Sequence, residues 1–158
     1  TDIVVGVIYN PLTNELFSAM RGAGARLNNH RIRVSSVKTL ADSLISTGIL
    51  SQQPEVVIAY VDILNTLIQQ TSAHRVSGSA TLDLAYIAAG KSEAFWEDSL
   101  YLWDVAAGIL LIQEAGGSVT DTAGNPLTKT MDNINIVASN KHIHSDFLTM
   151  LNPSPDKP

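Results

Sequence analysis

The sequence predicts an α/β domain in which layers of strand and helix alternate, preceded by two β-hairpins. Strand-like and helix-like segments alternate from residue 44 onward, as they do in layered α/β proteins. Two turn clusters, at residues 10–14 and 28–30, each separate a pair of strand-like runs. Residues 103–115 are almost all apolar or small, which indicates a helix that is buried on every side.

Composition limits the classes of function that this chain can have. Its 158 residues suffice for one domain with a sizeable core, and 45% of them are hydrophobic. The net charge of −5, without a basic block, disfavours nucleic-acid binding through phosphate contacts. The absence of cysteine excludes disulfides and thiolate chemistry. No signal peptide or membrane-spanning apolar run is visible, so we expect a cytoplasmic chain without a membrane partner.

The first part of the chain is interpreted as two hairpins. The first turn cluster is flanked by strand-like residues 3–9 and 15–20, and the second by residues 25–27 and 31–34. The glycine-rich residues 21–25 lack the Gly-Lys-Ser/Thr ending of a Walker A loop and the third glycine of a dinucleotide fingerprint. We therefore interpret them as a plain connection. Because the chain opens in a strand, we expect the hairpins to belong to a larger sheet whose N-terminal part is absent.

The remaining segments alternate between strand and helix. Apolar residues at helical spacing predict an amphipathic helix over residues 54–70. A second helix is predicted over residues 80–89, with Ser77 or Ser79 as its N-cap. The other predicted elements are strands at residues 44–49, 74–76, 93–97, 118–120 and 134–138, and a closing helix at residues 142–151.

Two acidic residues lie in or beside the long apolar stretch. Glu97 is expected at the carboxyl end of a strand, and Asp104 lies in the first turn of the helix that Gly116 and Gly117 end. Ligands of α/β proteins collect at such strand ends and helix starts. A purely structural role is the alternative for Asp104, because the helix dipole favours an acid there by about 0.3–1 kcal/mol.

A third feature is expected at the same edge of the sheet. Gly78, Ser79 and Ala80 open a helix, whose first N–H groups are available to an anion or to hydroxyl groups. Simple capping by Ser79 and a simple turn at Gly78 are the structural alternatives. Asp83, in the same helix, is interpreted as an acid favoured by the helix dipole rather than as a site residue.

The motif Trp103-Asp-Val-Ala-Ala-Gly108, followed by Glu114-Ala-Gly-Gly117, resembles the C-terminal signature of the inositol monophosphatase family. Residues 6–35, with Tyr-Asn-Pro, Gly-Ala-Gly-Ala and Leu-Asn-Asn, resemble the middle of the same family. The resemblance implies a layered α-β-α-β-α sandwich, of which this chain is roughly the second half. It also implies three parts: the last hairpin strands of an N-terminal sheet at residues 1–36, a C-terminal α/β domain at 37–152, and a tail at 153–158.

The resemblance implies a role for each candidate site residue. Asp104 matches a magnesium ligand, Glu97 matches a contact to substrate hydroxyls, and Gly78, Ser79 and Ala80 match the contact to the substrate ring. The implied activity is magnesium-dependent, lithium-sensitive hydrolysis of inositol 1-phosphate or a similar polyol phosphate. Histidinol phosphate, fructose 1,6-bisphosphate and phosphoadenosine phosphate are the alternative substrates.

The family's main metal motif, Asp-Pro-Ile/Leu-Asp-Gly-Thr, does not occur in this sequence, which contains neither an Asp-Pro nor an Asp-Gly dipeptide. No catalytic residue is therefore identified, and we expect the isolated chain to be inactive. The resemblance implies a non-catalytic alternative as well, because some bacterial family members are partners of the transcription machinery. Uncovered strand edges further predict a homodimer or an aggregating chain.

Other candidate residues are given structural interpretations. His142 and His144 are expected to be exposed at a helix start, where residues two apart do not share a face. Trp96, Tyr101 and Trp103 are expected to pack in the core and its loops rather than to form a stacking platform.

Overall fold

Two sheets and four α-helices make up the computed structural model, which describes residues 2–48, 53–127 and 133–152. None of the helices in these ranges has the length and apolar content needed to cross a membrane. The helices are α1 (Pro54–Gln70), α2 (Ala80–Ala88), α3 (Leu102–Ala115) and α4 (His144–Leu151). The strands are β1 (Val5–Asn10), β2 (Glu15–Met20), β3 (Gly24–Leu27), β4 (His30–Arg31), β5 (Leu44–Thr47), β6 (Ala73–Arg75), β7 (Ala94–Leu100), β8 (Ser118–Thr120) and β9 (Ile134–Ser139).

The first sheet is antiparallel, with the order β1-β2-β3-β4. Its strands alternate in burial, so that Ile8 and Phe17, which are register partners, face the core. The outward side chains of β1, from Val5, Val7 and Tyr9, are each more than half exposed. This sheet therefore has one packed face and one apolar face that the described residues leave open.

The second sheet has the order β6-β5-β7-β9-β8, in which β5 pairs in parallel with β6 and β7 while β9 pairs antiparallel with β7 and β8. The central strand β7 is covered on both faces. Phe95 packs into the cluster that contains α2 and α3, and Trp96 packs into the cluster that contains α1 and α4. The ring of Trp96 stacks on Tyr60 of α1 with 5.3 Å between centroids.

Helices α2 and α3 lie between the two sheets, because one core cluster joins them to residues of both. They also approach each other closely. A Cβ atom at Gly108 of α3 would lie 2.5 Å from the Cβ atom of Leu84 in α2, so only glycine fits at this crossing. Alternating layers of helix and sheet result, as the sequence predicted.

The glycine-rich connection between β2 and β3 is attached to the end of α3. The carboxylate of Glu114 accepts hydrogen bonds from the N–H groups of Gly22 at 2.7 Å and Gly24 at 2.8 Å. These two bonds hold the pKa of Glu114 below its usual value. Because the loop amides bind a side chain of the protein itself, the interpretation of this segment as a plain connection is supported.

Several predicted boundaries need correction. The strand predicted at residues 93–97 extends to Leu100 with a register shift after Glu97, so Glu97 lies within β7 rather than at its end. The strand predicted at 31–34 shrinks to His30–Arg31, and the closing helix begins at His144. Residue 49 of the predicted strand at 44–49, and the predicted tail at 153–158, lie outside the described residues.

The structural interpretations of His144 and of two aromatic residues are also wrong. His144 is half-buried, with Nδ1 2.8 Å from Ser139 Oγ and Nε2 3.0 Å from Thr120 Oγ1, and burial lowers its pKa. Tyr101 and Trp103 are not packed inside. Both are exposed, and their rings stack with 4.5 Å between centroids.

The open face of the first sheet generates a testable prediction about association. Burial of Val5 and Val7 against a second copy removes apolar surface from water, so we expect the unaltered chain to associate as its concentration rises. The double variant Val5→Thr/Val7→Thr retains β-branched side chains and is expected to stay monomeric at higher concentrations. Sedimentation velocity over a concentration series measures this shift.

Ile58→Thr is the matched control for this experiment, because Ile58 is an exposed apolar residue of α1 rather than of the sheet. It should leave the association unchanged. An unaltered chain that remains monomeric across the series would contradict the expectation, as would an equal effect of the control.

Candidate functional site

A cavity of about 290 Å³ lies where β5 and β7 meet the first turns of α2 and α3. All of the residues that the sequence singled out line this cavity: Gly78, Ser79, Ala80, Glu97 and Asp104. The fold brings them together from three separate elements. Gly48, Thr81 and Asp83, which sequence analysis did not assign to a site, lie in the same wall.

The start of α2 presents backbone N–H groups to the cavity. Ser79 is the N-cap, and its hydroxyl oxygen accepts the N–H of Leu82 at 3.4 Å. Ala80 and Thr81, the first two residues of the helix, have no acceptor for their N–H groups inside the helix. Gly78 adopts φ 81°, and no atom lies within 4 Å of the position that a Cβ would take there. Capping by Ser79 is therefore compatible with an open approach to the amides.

Asp104 is the third residue of α3. Its carboxylate accepts the N–H of Tyr101 at 3.2 Å, so the structural role considered for it is present. The Thr81 hydroxyl donates to the Asp104 backbone carbonyl at 2.8 Å and joins the first turns of α2 and α3. This bond fixes the position of Asp104 relative to the free amides of α2.

Glu97 is the most unusual group in the cavity wall. It is 5% exposed, and its carboxylate forms no hydrogen bond or ion pair with the residues that the structure describes. Burial raises the pKa of Glu97 to about 7, and the negative charges of Asp83, Asp104 and Asp98 add to the effect. A buried carboxyl without a partner is a candidate for contact with a ligand.

Gly48 makes room for this carboxylate. A Cβ atom at Gly48 would lie 2.5 Å from Glu97 Oε2 and 2.6 Å from Oε1. Any other residue at this position would push the carboxylate away. Sequence analysis missed Gly48, because a close approach between neighbouring strands leaves no local signal.

Asp83 lies in the first turn of α2, where the helix dipole favours an acid, but it is also a buried residue of the cavity wall. It is 3% exposed and accepts a hydrogen bond of 2.6 Å from the hydroxyl of Ser77. Burial raises its pKa, although its bonds to Ser77 and Ser46 act in the opposite direction. Its place in an almost wholly apolar helix is the sequence signal that could have identified it.

Magnesium prefers oxygen ligands in octahedral geometry, so the carboxylates of the cavity are its candidate ligands. Across residues 2–48, 53–127 and 133–152, no group of three or more His, Cys, Asp or Glu side chains is arranged to hold a metal ion. Asp104 therefore belongs to no such group of described residues. The residues described do not form a complete magnesium site.

Comparison with known proteins gives the family of this chain. Residues 1–154 match the sequence pattern of the inositol monophosphatase family. The chain belongs to this family. It is 44% identical over 142 residues to the inositol-1-monophosphatase of Rhizobium meliloti, which covers 90% of this chain and 53% of that protein.

Two further relatives support membership in the inositol monophosphatase family. The Nus factor SuhB of Haemophilus influenzae is 40% identical over 150 residues, which covers 94% of this chain and 55% of that protein. The solved inositol monophosphatase of Anabaena (Nostoc) sp. PCC 7120 superposes with a TM-score of 0.88 at 38% identity, over 96% of this chain and 60% of that chain. The chain thus spans about half the length of the curated relatives that it matches.

The raised pKa of Glu97 makes a prediction about stability. Between pH 4.5 and about 7, the Glu97 carboxyl of the folded chain is still largely protonated. In the unfolded chain its pKa has the ordinary value of 4.5, so there it has lost its proton in this range. Stability is therefore lost as the pH rises through this window. Glu97→Gln removes the penalty, so we expect it to raise the unfolding free energy by about 2 kcal/mol near pH 8 and very little near pH 4. Urea unfolding at both pH values measures this.

Glu93→Gln is the control for this prediction. Glu93 is also buried, but its carboxylate accepts the N–H of Leu44 at 2.7 Å, so Glu93→Gln replaces a charge-assisted hydrogen bond with a weaker neutral one and should not raise stability at pH 8. If Glu97→Gln does not raise stability at pH 8 either, then Glu97 has a stabilising partner and its carboxylate is not destabilised by burial.

Proposed function

We propose that this chain provides the polyol-binding part of a magnesium-dependent phosphomonoesterase that acts on inositol 1-phosphate or a similar polyol phosphate. The observation that supports this most directly is the cavity that holds Glu97, Asp104 and the start of α2 together. Membership in the inositol monophosphatase family and 44% identity to an inositol-1-monophosphatase support the same substrate class.

The chemistry of the cavity suits the hydroxyl groups of a polyol. The carboxylate of Glu97 accepts hydrogen bonds, and the first N–H groups of α2, near Ala80, donate them. A polyol hydroxyl does both, so it can bridge an acceptor and a donor in the cavity lining. Such a site binds and orients the sugar-like part of the substrate and leaves the phosphate to be held elsewhere.

We assign magnesium to this chain because it belongs to the inositol monophosphatase family. Asp104 is the one carboxylate that we assign to the metal, and the described residues do not supply the remaining ligands. We propose that those ligands come from polypeptide outside the half of the family that this chain matches. No hydrolytic step is assigned to residues of this chain.

The proposal also covers the choice of substrate, the response to lithium, the location and the oligomeric state. Histidinol phosphate, fructose 1,6-bisphosphate and phosphoadenosine phosphate are the competing substrates, and a contact from Glu97 to adjacent hydroxyls favours the polyol phosphate. We further propose lithium sensitivity, a cytoplasmic location and a homodimer. The open apolar face of the first sheet supports the dimer.

A non-catalytic function is the second candidate. The specific observation in its favour is the 40% identity to a protein named Nus factor SuhB. In this case the chain would bind a protein of the transcription machinery without magnesium. A stable complex in a pull-down that persists in the presence of a metal chelator would favour this candidate over the phosphatase.

The phosphatase proposal is tested by release of phosphate from inositol 1-phosphate. We expect the chain alone to release none, because its metal ligands are incomplete. Supplied with the N-terminal half of the Rhizobium meliloti relative as a separate polypeptide, it should become active with magnesium. Asp104→Asn should then lower the rate roughly 100-fold or more, since a lost metal ligand removes charge stabilisation of the reaction.

Asp62→Asn is the matched control, because Asp62 is an exposed acid on α1, outside the cavity lining. It should leave the rate unchanged. Activity of the Asp104→Asn assembly within a few-fold of the unaltered one would rule out the metal assignment. Magnesium-dependent release by the chain alone would show that its metal site is complete.

A further inference from the structure

The loop that leads into α2 is exposed, with little packing to hold it. Val76, Ser77 and Gly78 are all exposed, and the space beside Gly78 is open. The same three residues separate β6 from the N-cap of α2, and Gly78 lines the cavity. A loop of this kind presents its amides in one fixed geometry only if specific hydrogen bonds order it.

Asp83 supplies such a bond from the buried side. Its Oδ2 accepts the hydroxyl hydrogen of Ser77 at 2.6 Å. The oxygen of the same hydroxyl accepts the N–H of Ser79 at 3.2 Å. Asp83, Ser77 and Ser79 therefore form a chain of hydrogen bonds that curls the loop around Gly78. The hydroxyl of Ser77 has one hydrogen, and its donation to Asp83 directs the lone pairs towards the Ser79 amide.

An acid at this position is costly for the fold. Asp83 is almost fully buried in a helix whose neighbouring residues, Leu84 and Ala85, are core residues. A buried carboxylate loses hydration that its hydrogen bonds only partly replace, and an apolar residue of similar size would be better tolerated. Removal of the acid is therefore expected to leave the helix folded while the loop loses its attachment.

We propose that Asp83 is a positioning residue that orders the loop at residues 77–79 through Ser77 and so fixes the amides that meet a polyol. Its proposed effect on the ligand is transmitted through Ser77, to which it is hydrogen-bonded. The assignment of the ligand class rests on the proposed function, whereas the ordering of the loop is a property of this chain alone.

Hydrogen exchange tests the ordering without a ligand. In Asp83→Ala and in Ser77→Ala, we expect the Ser79 amide to exchange about tenfold faster than in the unaltered chain, because its acceptor is displaced or absent. Asp83→Asn keeps an acceptor oxygen and should retain most of the protection. Ser92→Ala is the control, because the hydroxyl of Ser92 is buried and forms no hydrogen bond with the described residues. Unchanged Ser79 exchange in Asp83→Ala would overturn the proposal.

Binding of myo-inositol, followed by amide chemical shifts of residues 78–80, tests the consequence for the ligand. We expect Asp83→Ala to weaken binding about tenfold and Asp83→Asn to stay within about threefold of the unaltered chain, because the neutral acceptor still holds Ser77. Equal affinity in Asp83→Ala would overturn the positioning role. If the unaltered chain does not bind myo-inositol, the proposed function is contradicted, and the exchange data alone decide whether Asp83 orders the loop.

Discussion

The close crossing of α2 and α3 between the two sheets is the constraint on which the site depends. Gly108 allows α3 to approach Leu84, and Gly6 of β1 lies against the backbone of Ala107 on the other side of the same helix. With both helices held in this layer, their first turns reach the same edge of the second sheet. The bond from the Thr81 hydroxyl to the Asp104 carbonyl then fixes their separation. The cavity is a consequence of this packing rather than of any one loop.

Three acids, Asp83, Glu97 and Asp104, line the cavity, and no basic residue is among its described lining residues. Two acids outside it have partners: Glu114 accepts two backbone N–H groups, and Glu15 forms an ion pair with Lys91. Glu97 and Asp83 are buried with raised pKa values, and neither ion pair recorded among the described residues lies beside them. The folded chain thus loses stability in order to hold carboxylates where a ligand can reach them, as functional sites commonly do.

Elements in which apolar residues repeat at regular spacing could be predicted from the sequence. Features that depend on contacts between residues far apart in the chain could not. Helical spacing gave α1 its observed bounds, Pro54–Gln70, and the apolar run gave α3. Glu97 and Asp104 stood out as acids in apolar surroundings. The burial of Asp83 depends on the sheet packed over α2, and the burial of His144 depends on β8 and β9. Short-range patterns therefore placed Asp83 only in a first helical turn and predicted an exposed His144. The extension of β7 to Leu100 follows from pairing with β9 across a register shift.

Glu97 is a buried carboxyl that the described residues of the chain leave without a partner. The most direct test is a carbon-13 NMR titration of the carboxyl of Glu97 in the unaltered chain and in Asp104→Asn. We expect a pKa of about 7 in the unaltered chain and a lower value once the neighbouring charge of Asp104 is removed. A midpoint near the ordinary value of 4.5, unaffected by Asp104→Asn, would contradict the account.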